Sequence, residues 1–355
     1  MTSRKYRIAV IPGDGIGREI MPEAISVLEA AGRRFQFELD WRHFDWSCET
    51  YLKTGRMMPA DGLEELRPFD AIYLGAVGHP DVPDHISLWG LLIPIRRGFR
   101  QYVNLRPVRL LAGIEPAVKN FQPGQIDFCI VRENSEGEYS EIGGRLYQGT
   151  EQELAIQESV FTRKGVDRVL RYAFELARTR RRHVTSATKS NGISHTMPFW
   201  DERFREMARQ YPDVQTDQFH IDILTAHFVR HPDWFDVVVG SNLFGDILSD
   251  LGPAVVGSIG MAPSANFNPE REFPSMFEPV HGSAPDIAGK GIANPIGQIG
   301  SGAMMMRHLG EEQAALAIEQ AIAAALLNPQ LHTRDIGGNA STTELGEAIA
   351  AMVQG

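Results

Sequence analysis

The chain has 355 residues, 43% hydrophobic and 23% charged, a composition typical of a globular enzyme of roughly two domains. Its formal net charge of −10 argues against nucleic-acid binding, which needs a basic face. An anionic substrate is still compatible, because a local arginine cluster can override the global sign. Cys48 and Cys129 have no metal-binding or redox spacing, which favours a reduced, cytoplasmic protein. No stretch has the apolar length of a membrane span or the pattern of a signal peptide.

The N-terminal segment is typical of a strand, a glycine loop and a helix. Residues 7–11 are apolar, the loop 13–17 contains three glycines, and apolar residues recur at helical spacing over 16–31. The glycine spacing differs from the dinucleotide-binding pattern G-x-G-x-x-G. A ligand-binding loop and a simple tight turn are therefore about equally supported.

Further strands and helices alternate along the rest of the chain. Strands are expected at 70–75, 127–131, 183–188 and 235–240, and helices at 166–178 and 311–327. The basic run 178–182 is interpreted as structural, because cations are favoured at a helix C-terminus. The alternation predicts an α/β protein, and the lack of a linker indicates that its domains exchange chain more than once.

Asp246 and Asp250 lie four residues apart in an otherwise apolar segment, 245–252. A helix beginning near Asp246 would place both on one face, one turn apart. No Lys or Arg lies between residues 237 and 256 to neutralise them, so one interpretation is a bound divalent cation. The alternative, equally supported, is that Asp246 caps the helix and Asp250 is solvated.

Arginines accumulate around a second motif. Arg96, Arg97 and Arg100 precede Asn104-Leu105-Arg106-Pro107, and Arg132 follows a predicted strand. Because guanidinium groups bind carboxylates in a bidentate manner, the set suits a substrate with two carboxylates. Taken alone, surface salt bridges are the commoner explanation.

Two polar segments after strands supply candidate proton-transfer groups. Tyr139 lies in the loop 132–139 and is a candidate proton donor. Lys189 follows the strand 183–188, where the ligand crevice of an open α/β sheet lies, and is a candidate base. Either residue alone is more typical of packing or of the surface.

Residues 281–295 form a long loop rich in small residues and without apolar periodicity, which is more typical of a functional than of a structural segment. Asp286 can accept hydrogen bonds from ribose hydroxyls and would repel a ribose 2′-phosphate. The loop therefore favours NAD over NADP.

Together these motifs resemble the β-decarboxylating dehydrogenases of the isocitrate/isopropylmalate dehydrogenase family. The resemblance extends from the loop 11–17 to Asn294-Pro295 and is most specific at 104–107, 245–250 and 278–295. It implies an α/β, two-domain fold with an open mixed sheet, not a Rossmann fold. It also implies a large cofactor-binding domain of 1–101 and 257–355, and a small domain of 102–256 that carries the dimer interface and the metal and substrate residues.

The resemblance implies roles for individual residues. Those matching substrate-binding positions are Arg96, Arg106, Arg132, Leu92 and Gly192. Those matching metal ligands are Asp246, Asp250 and Asp222, the last supplied by the other subunit. Lys189, also from the other subunit and assisted by Asp222, matches the catalytic base, and Tyr139 matches the residue that protonates the enol. The cofactor-binding positions are Asn191, Glu278, His281, Gly282, Ser283, Ala284, Asp286, Ile287 and Asn294.

Departures from the family's patterns bear on the substrate. NADP-dependent isocitrate enzymes carry Lys-Tyr where this chain has Asp286-Ile287. The isopropylmalate pattern has an acidic residue in place of Trp89 and a side chain in place of Gly192. Both departures resemble the tartrate/D-malate branch. Leu92 is still apolar, so 3-isopropylmalate is an alternative substrate.

The implied activity is NAD-dependent oxidation of a 2-hydroxy dicarboxylic acid, tartrate and/or D-malate, with or without decarboxylation. The implied cofactors are NAD and Mn²⁺ or Mg²⁺, with K⁺ as a further candidate, in a homodimer with shared active sites and no nucleic-acid or membrane partner. A non-catalytic nucleotide-binding regulator is an alternative of another class, which retention of Lys189, Tyr139 and the aspartates disfavours. A phosphoryl-transfer enzyme is disfavoured because no G-x-x-x-x-G-K-[ST] motif is present.

Overall fold

The computed structural model describes residues 4–355, which form a mixed sheet of ten strands, flanking helices and a separate two-stranded hairpin. The strands are β1 (Arg4–Gly13), β2 (Phe37–His43), β3 (Ala71–Ala76), β4 (Val103–Arg109), β5 (Asp127–Glu133), β6 (Gly143–Leu146), β7 (Leu154–Gln157), β8 (His183–Thr188), β9 (Gln215–His220), β10 (Val237–Gly240), β11 (Pro263–Phe267) and β12 (Ser275–Pro279). The helices are α1 (Gly17–Phe35), α2 (Cys48–Thr54), α3 (Gly62–Leu66), α4 (Asp84–Ser87), α5 (Ile93–Gly98), α6 (Arg163–Arg178), α7 (Thr196–Gln210), α8 (Ile221–Arg230), α9 (Asn242–Val256), α10 (Ile296–Leu309), α11 (Glu312–Leu326) and α12 (Thr342–Gln354). A π-helical turn, Leu88–Leu92, connects α4 to α5.

The sheet has the strand order β2-β1-β3-β12-β11-β4-β5-β10-β8-β9. β11 is antiparallel to β12 and β4, and β4 is antiparallel to β5, whereas the other neighbours are parallel. The predicted open mixed sheet is thereby confirmed. The domain division stays a prediction. In the strand order, the boundary between the two proposed domains would fall between β11 and β4. All sheet strands of the proposed large domain lie on the β11 side of it, and all sheet strands of the proposed small domain lie on the β4 side.

Hydrophobic periodicity located fewer than half of the strands and helices, but several of those closely. β8 has the predicted bounds, and α11 differs by one residue at each end. α6 begins at Arg163, earlier than predicted, because the Thr162 side chain caps it by accepting a hydrogen bond from the Gly165 N–H at 2.9 Å. The basic run after α6 is structural as predicted, since Arg180 is ion-paired with Asp127 and Asp236.

Apolar side chains fill both faces of the sheet. β3 and β10 are buried along their whole length, as expected for strands covered on both sides. Both cysteine thiols are buried and free of disulfides. Burial and nearby Asp14 raise the pKa of Cys48 to about 12, and burial also raises the pKa of Cys129. Within 4–355, no helix is both long and apolar enough to cross a bilayer.

The glycine loop between β1 and α1 packs directly against neighbouring backbone. A Cβ on Gly13, at φ +72°, would lie 1.9 Å from the Ala76 carbonyl oxygen. The buried Asp14 carboxylate accepts hydrogen bonds from the N–H groups of Cys48 at 3.0 Å and Gly78 at 3.2 Å. These contacts favour the tight-turn interpretation of this loop.

Gly13→Ala should therefore destabilise the protein more than Gly55→Ala. Gly55, at φ +75°, has the same backbone conformation but nothing within 4 Å of its Cβ position. The left-handed conformation alone should cost about 1–2 kcal/mol in each variant, and the Gly13 clash about 1–3 kcal/mol more. Urea unfolding followed by circular dichroism measures both. Equal loss of stability in the two variants would contradict the packing role.

Candidate active site

One polar face of the sheet forms the floor of a cleft of about 200 Å³. Asn104 and Arg106 lie two residues apart in β4 and so share a face, and Asn104 is the register partner of Arg132 in β5. The predicted site residues that line this cleft are Leu92, Arg96, Arg106, Arg132, Tyr139, Asp246, Glu278, His281 and Gly282. Residues from distant parts of the chain thus meet at one place.

Three arginines of this cleft are buried. Arg96 and Arg106 are each 7% exposed and Arg132 is 4% exposed, so the alternative of surface salt bridges is wrong for these three. It is correct for Arg100, which forms an exposed ion pair with Glu272. Arg96 donates to the Glu278 carboxylate at 2.7 Å, and Arg106 donates to the Ser249 hydroxyl at 2.6 Å. Burial, together with the positive charge of Arg132, lowers the pKa of Arg106 to about 10. Such closely spaced buried cations are a binding surface for an anion.

The helix that carries Asp246 and Asp250 starts earlier than predicted. α9 begins at Asn242, and the Ser241 hydroxyl caps it by accepting from the Phe244 N–H at 3.4 Å. Asp246 lies in the second turn, so the alternative that it caps the helix is wrong. The two aspartates do lie one turn apart, as the spacing predicts.

Arginines from β4 and β5 neutralise these aspartates, although none lies near them in sequence. Arg132 and the Tyr139 hydroxyl both donate to Asp246, the latter at 2.9 Å. Arg106 Nη1 lies 3.7 Å from Asp246 Oδ1 and 3.6 Å from Asp250 Oδ1. Burial opposes ionisation of Asp246, but the two arginines outweigh it and hold its pKa below the ordinary value. Burial instead raises the pKa of Asp250.

A divalent cation needs more ligands than these two aspartates. Asp246 lines the cleft and Asp250 is exposed one turn further along α9, so Asp250 is solvated as its alternative interpretation has it. Carboxylates are the hard oxygen donors that Mg²⁺ and Mn²⁺ prefer. Within residues 4–355 no three acidic, histidine or cysteine side chains converge as a metal site. Asp246 and Asp250 therefore fit part of a metal site, and a third ligand from another copy of the chain stays a prediction.

Glutamates fix the loop that carries Tyr139. Glu133 is fully buried and accepts from the N–H groups of Ser135 at 3.0 Å and Glu136 at 2.8 Å. Glu138 accepts from the Ser241 hydroxyl at 2.8 Å, which joins the loop to the start of α9. Burial and the Asp246 charge raise the pKa of Tyr139, so its phenol stays protonated at neutral pH.

Lys189 and Asp222 form a separate pair. Lys189 Nζ lies 3.0 Å from Asp222 Oδ2, and this hydrogen bond holds the pKa of Asp222 below its ordinary value. Asn191 and Gly192 lie in the exposed turn that follows. No hydrogen bond or ion pair joins this turn or the pair to the cleft in the described part of one chain. In a single copy, the predicted site residues therefore form two separate groups, the cleft and the Lys189–Asp222 pair.

The predicted cofactor loop follows β12 and borders the cleft. Ser283 is buried and its carbonyl accepts from the Ile16 N–H at 2.9 Å, whereas Gly282 and Asp286 are exposed and Ile287 is half-buried. Ala284 adopts φ +41°, a conformation rare outside glycine. His281 Nε2 is buried without a hydrogen-bond partner among residues 4–355, and burial lowers the pKa of this histidine. Exposed backbone and an unpaired imidazole nitrogen fit a nucleotide ligand.

Asn294 has a structural contact in this loop. Its side-chain amide donates to Asp335 at 3.0 Å, and its Oδ1 accepts from the Ile296 N–H at 3.0 Å. These bonds fix the end of the loop at the start of α10. Any contact between Asn294 and a cofactor stays a prediction.

Trp89 and Leu92 lie in the π-helical turn above the cleft. The Arg97 guanidinium lies 4.9 Å from the centre of the Trp89 ring and donates to the Tyr139 carbonyl at 2.8 Å. Trp89 thereby packs on a side chain that supports the Tyr139 loop. Leu88 and Leu92 make the adjoining wall of the cleft apolar.

Sequence reasoning did not identify the residues that hold these groups in place. Ser249 binds Arg106, and Asn242 binds Arg132 Nε at 3.0 Å and Nη2 at 2.7 Å. Both polar residues lie on α9 among apolar neighbours, a pattern that marks buried polar groups in need of partners. The sequence gives no signal for which arginine each would bind.

Comparisons with known proteins agree with this geometry. The isocitrate/isopropylmalate dehydrogenase family model matches residues 7–349. D-malate dehydrogenase [decarboxylating] of Escherichia coli (strain K12) is 60% identical, with 99% of each chain covered. Tartrate dehydrogenase/decarboxylase of Pseudomonas putida is 57% identical, with 99% of this chain and 98% of that protein covered.

A solved structure shares the architecture as well as the sequence. Isocitrate dehydrogenase from Methylococcus capsulatus superimposes with a TM-score of 0.89 at 35% identity, covering 99% of this chain and all of the other. Matches of this extent in sequence and in fold establish the relationship. The chain belongs to the isocitrate/isopropylmalate dehydrogenase family.

Proposed function

We propose that the protein is an NAD- and divalent-metal-dependent dehydrogenase that oxidises D-malate and/or tartrate, with or without loss of CO₂. The observation that carries this proposal is the burial of Arg96, Arg106 and Arg132 in one cleft beside Asp246 and Tyr139. Buried, oriented guanidinium groups are suited to a small dianion. The full-length similarity to proteins named as D-malate and tartrate dehydrogenases supports this substrate class.

The arginines bind and orient the substrate in this proposal. Glu278, Ser249 and Asn242 each hold one guanidinium in place, so little side-chain entropy is lost when a carboxylate binds. The Nε atoms of Arg96 and Arg106 are buried without a hydrogen bond among residues 4–355. These donors are therefore suited to a carboxylate in the cleft.

Two cofactors complete the chemistry. Asp246 and Asp250, with Asp222 of a second copy, would hold Mn²⁺ or Mg²⁺, and residues 278–294 with Asn191 would hold NAD. When bound, the cation supplies positive charge that stabilises the developing oxyanion and enolate, and NAD supplies the hydride acceptor.

Side chains of the protein move the protons. Lys189 of the second copy first releases one proton to solvent and, as the neutral amine, then accepts the proton of the substrate's 2-hydroxyl, while Asp222, 3.0 Å away, orients the amine. When CO₂ is lost, Tyr139 donates its phenolic proton to C3. Its raised pKa keeps that proton available at neutral pH. D-malate would yield pyruvate and CO₂.

A shared site requires a dimer, and exposed apolar residues support one. Large apolar side chains are exposed on and around α8 and α9: Ile223, Val229, Trp234, Leu243 and Ile247. The β6–β7 hairpin also exposes Leu146, Leu154 and Ile156. Exposed large apolar side chains grouped on two helices that pack against each other are typical of a protein interface. We infer a two-fold homodimer in which each site combines the cleft of one copy with Lys189 and Asp222 of the other.

3-Isopropylmalate is a second candidate substrate, because Leu88 and Leu92 give the cleft an apolar wall. Gly192 opposes it, since it offers no side chain to an isopropyl group. Kinetic comparison of the two substrate types distinguishes these alternatives.

D-malate or a tartrate isomer should give a higher kcat/KM than 3-isopropylmalate. A missing apolar contact is worth about 1–3 kcal/mol, or roughly 10–200-fold in specificity. NADH formation by the purified enzyme with Mn²⁺ measures it across a panel of 2-hydroxy diacids. Preference for 3-isopropylmalate by that margin would overturn the substrate assignment, and no turnover of any diacid would favour the non-catalytic regulator.

Replacing Asp286 with Lys and Ile287 with Tyr should shift cofactor preference toward NADP. The exposed Asp286 carboxylate would face the 2′-phosphate, and unit charges about 4 Å apart interact by about 1–4 kcal/mol near a protein surface. The ratio of kcat/KM for NAD and NADP should change by about tenfold or more. The control Asp61→Lys, at an exposed position outside the cleft, makes the same charge change and should leave the ratio unaltered. Equal use of both cofactors by the wild type would refute this role of Asp286.

Lys189→Ala and Asp246→Asn should each inactivate the enzyme, yet restore activity when mixed. After joint unfolding and refolding, half of the dimers are mixed, and each mixed dimer contains one intact site and one with both lesions. About a quarter of wild-type sites should return, by two-fold symmetry. Each parent refolded alone is the control, and refolded wild type gives the yield. If mixed dimers form without activity, both residues serve the site of one chain.

A further inference from the structure

We infer that Asn266, a residue outside the cleft lining, is a positioning residue that sets the substrate-binding geometry of Arg96 through Glu278. The inference rests on the proposed function, because it requires Arg96 to bind the substrate. Asn266 is the penultimate residue of β11 and is fully buried. Its Nδ2 donates to Glu278 Oε1 at 2.7 Å, and the same oxygen accepts from Arg96 Nη2 at 2.7 Å.

The direction of these hydrogen bonds is fixed. The Glu278 carboxylate paired with Arg96 can only accept, so Asn266 must turn its amide nitrogen toward Glu278. Its Oδ1 then faces Asn104 and Asn134, whose amide nitrogens donate to it at 3.1 and 2.8 Å. The two donors hold Asn266 in the single orientation that supports Glu278.

Two further observations indicate that this arrangement has a specific role. Asn104 and Asn134 leave their amide oxygens buried without a donor among residues 4–355. Each of these amide nitrogens also donates to a backbone carbonyl, that of Ala265 or Gln101, so both nitrogens stay directed toward Asn266 although the unpaired oxygens cost free energy. Asn104 is also the register partner of both Asn266 and Arg132, so the network extends across the sheet beneath the cleft.

The geometric consequence concerns Arg96. Of the described residues, only Glu278 forms an ion pair with it, and Arg96 Nε has no hydrogen bond. The orientation of this guanidinium therefore depends on the position of one carboxylate oxygen, which Asn266 shares. Weakening the Asn266–Glu278 bond should impair substrate binding more than the chemical step.

Asn266→Asp tests the donor selectively. The variant keeps an acceptor for Asn104 and Asn134 but places an oxygen against Glu278. We expect the KM for D-malate, or for the best diacid of the panel, to rise about tenfold, the effect of weakening one charge-assisted hydrogen bond, while kcat stays within about threefold. A purely structural role would instead lower the melting temperature and kcat and leave KM unaltered.

The matched control is Asn268→Asp. Asn268 is equally buried two residues along the chain, and its Oδ1 accepts from the N–H groups of Glu272 at 2.7 Å and Phe273 at 3.2 Å. Its side chain forms no hydrogen bond with Glu278 or Arg96 in the described structure. The same chemical change there should leave KM at the wild-type value. A comparable rise in KM would mean that any buried aspartate in this region has the effect, which would overturn the inference.

A double-mutant cycle with Glu278→Gln provides the decisive measurement. In the double variant an amide at 278 can donate to an acid at 266, which reverses the original bond. Because the glutamine oxygen of Glu278→Gln can still accept from Asn266 and Arg96, the inference expects Asn266→Asp to raise KM by a smaller factor in the Glu278→Gln background than in the wild type. Effects on KM that simply multiply would exclude coupling. If Asn266→Asp does not fold, Asn266→Ala, which removes the donor without adding a charge, is compared with Asn268→Ala, and an equal KM in those two variants would overturn the inference.

Failure of this inference can be distinguished from failure of the proposed function. A wild-type enzyme that forms no NADH with any diacid would refute the function, and the inference with it. A wild type that is active, with an Asn266→Asp variant of unchanged KM, would refute the inference alone.

Discussion

The burial of three guanidinium groups in one cleft is the constraint on which the rest of the site depends. A buried charge is tolerated only where it is paired and hydrogen-bonded. Glu278 pairs with Arg96, Asp246 pairs with Arg132, and Ser249 binds Arg106. These partners lie in β12 and α9. The contacts that neutralise the arginines therefore also hold α9, which carries Asp246 and Asp250, and β12, which precedes the cofactor loop.

Local sequence pattern was sufficient to locate individual strands and helices. β8, α11 and β5 were located from apolar periodicity, because their buried faces follow the period of a strand or helix. The sheet order could not be derived in this way, because the sequence of one strand does not indicate which distant strand it pairs with. The mixed sheet was instead predicted from the resemblance to a known family, and the structure agrees.

The candidate site was predictable in its components but not in its electrostatics. No cation lies near Asp246 in the sequence, but Arg132, 114 residues away, forms an ion pair with it in the folded protein. The network of Asn104, Asn134 and Asn266 was missed for the same reason, because a single buried asparagine resembles any other until its partners are known. The separation of Lys189 from the cleft was expected only through the family resemblance.

The two buried cysteines provide intrinsic probes of conformational opening. Only an exposed thiolate reacts readily with alkylating reagents, and burial together with a raised pKa suppresses that reaction at Cys48 and Cys129. Cys48 begins α2, on the β1–β3 side of the sheet, and Cys129 lies in β5, beyond the β11–β4 pair. Alkylation rates at the two thiols therefore report on opposite halves of the sheet, and their ratio shows whether those halves open together or separately, without any introduced label.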